Sequence, residues 1–232
     1  LGLEAVLPTG EIIRTGGRTV KNVVGYDLTQ LLVGSEGTLA VMTELTLNLV
    51  PVPAHTALAV VHFDELFAAL SAVETILETE PSAVELLDNF GLTLAREVPQ
   101  YARLMTGFIE GAPNCVLITE YSGDNPRELR QRVDALGDHL RRRGVRAKVV
   151  QALDSSLQAD VWTVRKVGLG LMMSIKGDYK PIPFIEDAAV PVEHLAEYVT
   201  SIERFCNDIG THVAYYAHAS AGCIPILSLI HI

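Results

Sequence analysis

The sequence predicts an α+β protein in two parts, and three observations predict it. Residues 1–52 are β-rich with one helical insert, Pro51-Val52-Pro53 then interrupts the chain, and strands alternate with helices beyond it. Two prolines this close end both strand and helix, which makes residues 53–226 a second domain. Strand–helix–strand repetition at these lengths builds a sheet layered with helices, of α+β or α/β type.

The elements follow in order. Leu3 to Leu7 and Ile12 to Arg14 are apolar runs joined by Pro8-Thr9-Gly10, a turn signal, and read as a hairpin. Gly16-Gly17 breaks the chain, and Asp27 to Val33 reads as a short helix with Asp27 as N-cap and Gly34 as stop. Ala40 to Leu49 alternates as a strand. Its Val41, Thr43, Leu45, Leu47 and Leu49 form a mostly apolar face, opposed by Met42, Glu44, Thr46 and Asn48. In the second part, strands are expected at Ala57 to Val61, Ala83 to Leu87, Cys115 to Tyr121, Ala147 to Gln151, Ile182 to Val190 and His212 to Tyr216. Helices are expected at Asp64 to Glu78, Asn125 or Pro126 to Arg143, Ser155 to Gly168 and Val192 to Ile209.

Composition narrows the function. Apolar residues make up 49% and charged residues 20%, which is ordinary for a globular chain. No apolar run reaches bilayer length, so no transmembrane segment is expected. The net charge of -10 argues against nucleic acid as a partner. The one basic cluster, Arg141 to Arg143 with Arg146 and Lys148, closes a helix, where cations suit the negative terminus, and reads as a solvated face. Cys115, Cys206 and Cys223 lack Cys-x-x-Cys spacing, which points to a reducing, cytoplasmic setting without a disulfide framework or an internal iron–sulfur cluster. The opening Leu-Gly-Leu-Glu has no signal-peptide character. Leu227 to Ile232 match the translation of a transposon end used in preparing sequencing libraries, and are expected to be a foreign tail.

One stretch carries more than composition. Gly16-Gly17-Arg18-Thr19-Val20-Lys21-Asn22-Val23-Val24-Gly25-Tyr26-Asp27-Leu28 leads into Gly34-Ser35-Glu36-Gly37-Thr38-Leu39, dense in glycine and small polar residues. Glycine lets backbone N–H groups approach a phosphate or a planar ring, although such a stretch taken alone reads first as a turn. The residue order resembles the flavin-binding domain of the vanillyl-alcohol-oxidase superfamily. It is most similar to the branch of glycolate oxidase flavoprotein subunits and D-lactate and D-2-hydroxyglutarate dehydrogenases. Trp162-Thr163-Val164-Arg165-Lys166 resembles that family's Trp-x-x-Arg element, and Phe184 to Pro191 resembles the strand before its last helices. Tyr216-Ala217-His218-Ala219-Ser220-Ala221-Gly222-Cys223 is similar to its Gly-His-Ala loop. Cys223 and Lys180 resemble the long members that are fused to an iron–sulfur domain.

The resemblance implies the second half of a flavin domain followed by a ferredoxin-like α+β substrate domain. It assigns Lys21, Asn22, Gly25, Tyr26, Asp27, Gly34, Ser35, Glu36, Gly37, Thr38 and Val41 to FAD. It assigns Arg165 to the substrate carboxylate, with Lys166 and Lys180 as secondary candidates. His218 is implied as catalytic, polarising the substrate hydroxyl or ligating a divalent zinc, iron or manganese ion. Glu186 and Asp187 read equally as caps or as chemistry. The sequence departs from the pattern at Pro225, where many relatives place a second His, and it carries neither the upstream Gly-rich pyrophosphate loop nor the downstream Glu-His pair.

The implied reaction is FAD-dependent oxidation of a small D-2-hydroxy acid to the 2-oxo acid, with electrons leaving to an acceptor other than NAD. A cytoplasmic location follows, with peripheral membrane attachment through that acceptor as the alternative. An iron–sulfur domain or subunit is a further implied partner. The rival readings are an oxidase of another alcohol within the same fold and a non-catalytic flavin-binding or accessory subunit. Expressed alone, the segment is expected to be poorly soluble and to retain little FAD.

Overall fold

The computed structural model describes residues 1–19, 21, 23–174 and 179–231, without side-chain detail at 169, 179–184, 186–187, 212 and 228–231. The chain divides into two compact units, Leu1–Val52 and Pro53–Ile232.

The first unit is a three-stranded antiparallel sheet in the order β2-β1-β3, with β1 at Gly2–Val6, β2 at Ile12–Gly16 and β3 at Val41–Thr46. β1 and β2 pair from Gly2↔Gly16 to Val6↔Ile12, as the turn signal predicts, and Gly10 takes φ 84° in the turn. Gly16 is required where it stands. Its φ is 69°, and a Cβ there would collide with the Leu1 carbonyl oxygen. The short helix α1, Leu28–Leu32, starts on Asp27, whose side chain accepts a hydrogen bond from the Gln30 N–H. Leu3, Ala5, Leu32 and Ala40 form a small core flanked by Leu7, Ile13 and Met42. The apolar face of β3 is therefore the outer one in this unit: Val41 and Leu45 are 65% and 61% exposed while Met42 packs inward.

The second unit is a seven-stranded antiparallel sheet in the order β7-β4-β6-β5-β9-β10-β8. Its elements in chain order are β4 (His55–Phe63), α2 (Leu66–Leu77), β5 (Ala83–Leu87), α3 (Asn89–Glu97), α4 (Pro99–Met105), β6 (Cys115–Gly123), α5 (Pro126–Arg142), β7 (Lys148–Ala152), α6 (Ser155–Met173), β8 (Tyr179–Ala189), α7 (Leu195–Asp208), β9 (His212–Ala217) and β10 (Cys223–His231). The order β7-β4-β6-β5 with α2 and α5 as crossovers is the ferredoxin-like double split βαβ, and β9, β10 and β8 extend the sheet beyond β5. Strand alternation feeds two cores. Ala57, Ala59, Val61, Leu86 and Leu117 pack with α2, α5 and α7 on one face. Leu58, Val60, Leu87 and Ile118 pack with α3, α4 and α6 on the other. Burial on both faces explains why β4 reads as a continuous apolar run.

Several boundaries differ from the sequence reading. The helix expected to stop at Gly168 runs to Met173, with Gly168 buried beside Leu87 inside it. Helices α3 and α4, split at Pro99, occupy a stretch with no assignment from sequence. Residues 223–231 continue the sheet as β10, paired with β8 and β9, and Leu227 is buried there with Met172 and Ala214. The basic cluster on α5 does form surface pairs, Arg141 with Asp138 and Arg143 with Glu78. None of the three cysteines forms a disulfide. Among the described residues, no helix is long and apolar enough to cross a membrane.

Asp88 joins three elements at the end of β5. Its Oδ1 accepts from the Gly91 N–H at 2.8 Å, capping α3, and its Oδ2 accepts from the Tyr215 N–H of β9 at 2.8 Å. Asp88→Ala is expected to cost about 2–4 kcal/mol in chemical denaturation, from a lost cap and an unpaired buried N–H. Burial pushes the Asp88 carboxyl up to about 6, against the lowering effect of its backbone donors. The folded chain then holds this proton more tightly than the unfolded chain. The contribution is complete below the unfolded value of 3.8 and is lost as pH rises through about 6. Wild type should therefore lose stability relative to Asp88→Asn as pH rises from about 4 to about 7, and a pH-independent difference would refute this.

Candidate active site

The residues that carry the family resemblance in the second unit converge on one face of the sheet. On β5, Val84 and Leu86 turn to one core, so Glu85 turns to the face covered by α6. α6 begins at Asp154, whose carboxylate accepts from the Ser156 and Leu157 N–H groups. Gln158 ties the helix to β4, donating to the Thr56 carbonyl at 2.9 Å and accepting from the Thr56 hydroxyl at 2.6 Å. With Val161 and Val164 in the core, Arg165 points down onto the strands and is only 5% exposed.

Arg165 Nη2 donates to Glu85 Oε2 at 2.8 Å, and its guanidinium lies 3.9 Å from the ring centre of Tyr216 on β9. Its Nε is buried without a hydrogen-bond partner. The same carboxylate reaches His218, whose Nδ1 lies 2.9 Å from Oε1 and 3.0 Å from Oε2. Because a carboxylate only accepts, Nδ1 carries the proton in this pair and Nε2 is left as the basic nitrogen. His218 stands edge-on to Tyr216 with centres 5.5 Å apart, and its side chain is 46% exposed. Glu120 of β6 borders the group; burial raises its pKa, the Trp162 hydrogen bond opposes that, and the Glu85 charge adds to it.

The loop carrying His218 is pinned. The Ser220 hydroxyl accepts from the Val84 N–H, His218 and Cys223 bond backbone to backbone, and Val190 N–H donates to the Gly222 carbonyl at 2.8 Å. Gly222 has φ 65°, and a Cβ would collide with the Val190 carbonyl oxygen, so the loop closes only with glycine.

The structure thus brings Arg165 and His218 together through Glu85 and sends Lys166 to the exposed side of α6. The Lys180, Glu186 and Asp187 side chains lie outside the described ones. Sequence reading passed over Glu85, Glu120 and Tyr216 as site residues. A single carboxylate inside the apolar strand Ala83–Leu87 was the signal for the first, since a buried acid needs a cation. Among the described residues, no three His, Cys, Asp or Glu side chains gather as a metal set. His218 and Glu85 are too few protein ligands for a catalytic zinc-type site, which uses three. The described residues thus supply two of the three ligands that the divalent metal implied for His218 would need.

In the first unit, Gly25, Gly34 and Gly37 have φ of 75°, 80° and 77°, with nothing within 4 Å of a would-be Cβ. Glu36 is also left-handed at 51°. The Ser35 hydroxyl is buried without a partner, while Thr38 Oγ1 donates to the Ser35 carbonyl at 2.6 Å. A cleft of about 230 Å³ runs past Thr15, Gly16, Gly25, Tyr26 and Asp27. Lys21, Tyr26 and Val41 are exposed, and Asn22 lies outside the described residues. Open glycine backbone beside an unsatisfied hydroxyl fits a flat, phosphate-bearing cofactor such as FAD.

Comparison with known proteins shows the family. Residues 52–230 match the family of FAD linked oxidases, C-terminal domain, and the chain belongs to that family. It is 31% identical over 211 residues to the D-2-hydroxyglutarate dehydrogenase of Pantoea ananatis, which covers 87% of this chain and 20% of that protein. It is 31% identical over 224 residues to glycolate oxidase subunit GlcD of Bacillus subtilis, covering 96% of this chain and 45% of that one. The chain thus spans less than half the length of either relative. A p-cresol methylhydroxylase crystal structure with bound substrate shares the fold at TM-score 0.70 and 14% identity, over 99% of this chain and 50% of that one.

Glu85→Ala strands the Arg165 charge in the core and is expected to cost about 3–5 kcal/mol in urea unfolding. A loss under about 1 kcal/mol would mean that Arg165 finds water or another partner.

Proposed function

We propose that this chain is part of an FAD-dependent dehydrogenase that oxidises a small 2-hydroxy acid of the lactate, glycolate or 2-hydroxyglutarate type to the 2-oxo acid. The observation that carries this reading is Glu85 holding Arg165 and His218 together, within an FAD-linked oxidase family chain. Arg165 offers the substrate carboxylate a guanidinium whose Nε has no partner, so a bound carboxylate oxygen would relieve a buried unsatisfied donor. His218 Nε2 takes the hydroxyl proton, while Glu85 fixes the tautomer and stabilises the imidazolium that forms. FAD, when bound, supplies a ring that accepts the hydride from the α-carbon. The glycine turns of residues 25–37 would hold it, with the Ser35 hydroxyl as a donor.

The first unit fits half of a flavin domain, because the apolar outer face of β3 is a core face awaiting its cover. The electron acceptor in this reading is not NAD. A non-catalytic flavin-binding subunit is the second reading, and Pro225, standing where many relatives of the family carry a second His, favours it.

Assays of the flavin-loaded holoenzyme with D-lactate, glycolate and D-2-hydroxyglutarate and an artificial dye acceptor separate the two. His218→Ala is expected to lower kcat about 10²–10⁴-fold, as for loss of a general base. Arg165→Lys should act mainly on KM, since a point ammonium replaces a planar fork. Turnover that is absent in the wild type, or unchanged in His218→Ala, would favour the accessory reading.

A further inference from the structure

We propose that the cleft between the start of α3, the start of β6, β9 and α7 binds a small organic cation, an ammonium group on a short apolar stem. This cleft is separate from the Arg165 site. Consecutive residues of a strand face opposite ways, so Tyr215 serves the cleft while Tyr216 serves Arg165. Its volume is about 480 Å³.

The chemistry of the wall selects the ligand. Asp88 and Glu203 supply two carboxyls, and no Lys, Arg or His is among the described residues that line the cleft. Tyr215 is 3% exposed, yet its hydroxyl is buried with no hydrogen-bond partner. That hydroxyl lies close enough to Glu203 and Asp88 for both charges to push its pKa up, after the larger effect of burial. Burial raises the pKa of Glu203, and it also raises that of Asp88 against the lowering effects of its backbone donors and of the Arg165 charge. An ammonium donates to the Glu203 carboxylate and to the unpartnered Tyr215 oxygen together, with the Asp88 charge adding to its attraction. An anion would meet two like charges, and a neutral alcohol would leave the carboxyls uncompensated. Leu66, Phe90 and Val213 form apolar wall that a bare hydrated ion would leave unused.

Thermal unfolding of the chain, titrated with n-butylammonium chloride at constant ionic strength, tests the proposal against n-butanol and magnesium chloride. The expected result is a saturable rise in Tm with butylammonium alone. Tyr215→Phe and Glu203→Gln preserve shape, and each is expected to weaken binding about tenfold or more, the loss typical of a charge-assisted hydrogen bond. Arg141→Gln, at an exposed position on α5, should leave the affinity unchanged. An equal response to butanol, a response to magnesium only, no saturable response, or wild-type affinity in both cleft variants would each overturn the assignment.

Discussion

A guanidinium that exposes only 5% of its surface cannot be left uncompensated, and much of the second unit is arranged around that constraint. Arg165 is held by a carboxylate on a neighbouring strand and by an aromatic ring on the next one, so α6, β5 and β9 must all be present in register. A slip of one residue in β5 would turn Glu85 into the opposite core and bring Leu86 against the guanidinium. The pair is thus poor as a source of net stability but strong as a device for register. Because His218 leans on the same carboxylate, the register that protects the buried charge also sets the imidazole.

Asp88 performs a similar task at the far end of β5. It closes the first turn of α3 with one oxygen and holds β9 with the other, only three residues from the carboxylate that binds Arg165. The two acids face opposite situations. Glu85 has a cation on one side and an imidazole on the other, whereas Asp88 has backbone donors and a raised pKa. For Asp88, burial outweighs the lowering effect of its backbone donors and of the Arg165 charge.

The fold was legible in the sequence wherever a pattern is local. Alternation revealed β3, proline and asparagine marked the start of α5, and Pro51-Val52-Pro53 marked the break between the two units. Helices α3 and α4 were not legible, because Pro99 splits them into pieces too short to show a period. The apolar face of β3 was legible, but which side a packing layer occupies depends on what lies opposite. At the site, Arg165 and His218 were reached through the order of residues in the chain. Glu85 was not, since an acid meets its partners 80 and 133 positions away only after the sheet forms. Lys166 shows the converse: adjacent in sequence to Arg165, it lies on the other side of the helix, where a neighbour one position on does not share a face.

The last strand separates pairing from origin. Residues 227–231 bond to β8 and to β9, and Leu227 reaches the core beside Met172 and Ala214. A Leu-Ser-Leu-Ile run has the apolar, strand-forming content that suits a strand paired on both sides. Its place in the sheet therefore follows from pattern, whatever residues precede it. The chemistry of this face is set earlier, between Glu85 and Gly222, where a carboxylate, a guanidinium and a glycine-closed loop hold His218 with its Nδ1 on Glu85 and its side chain half exposed.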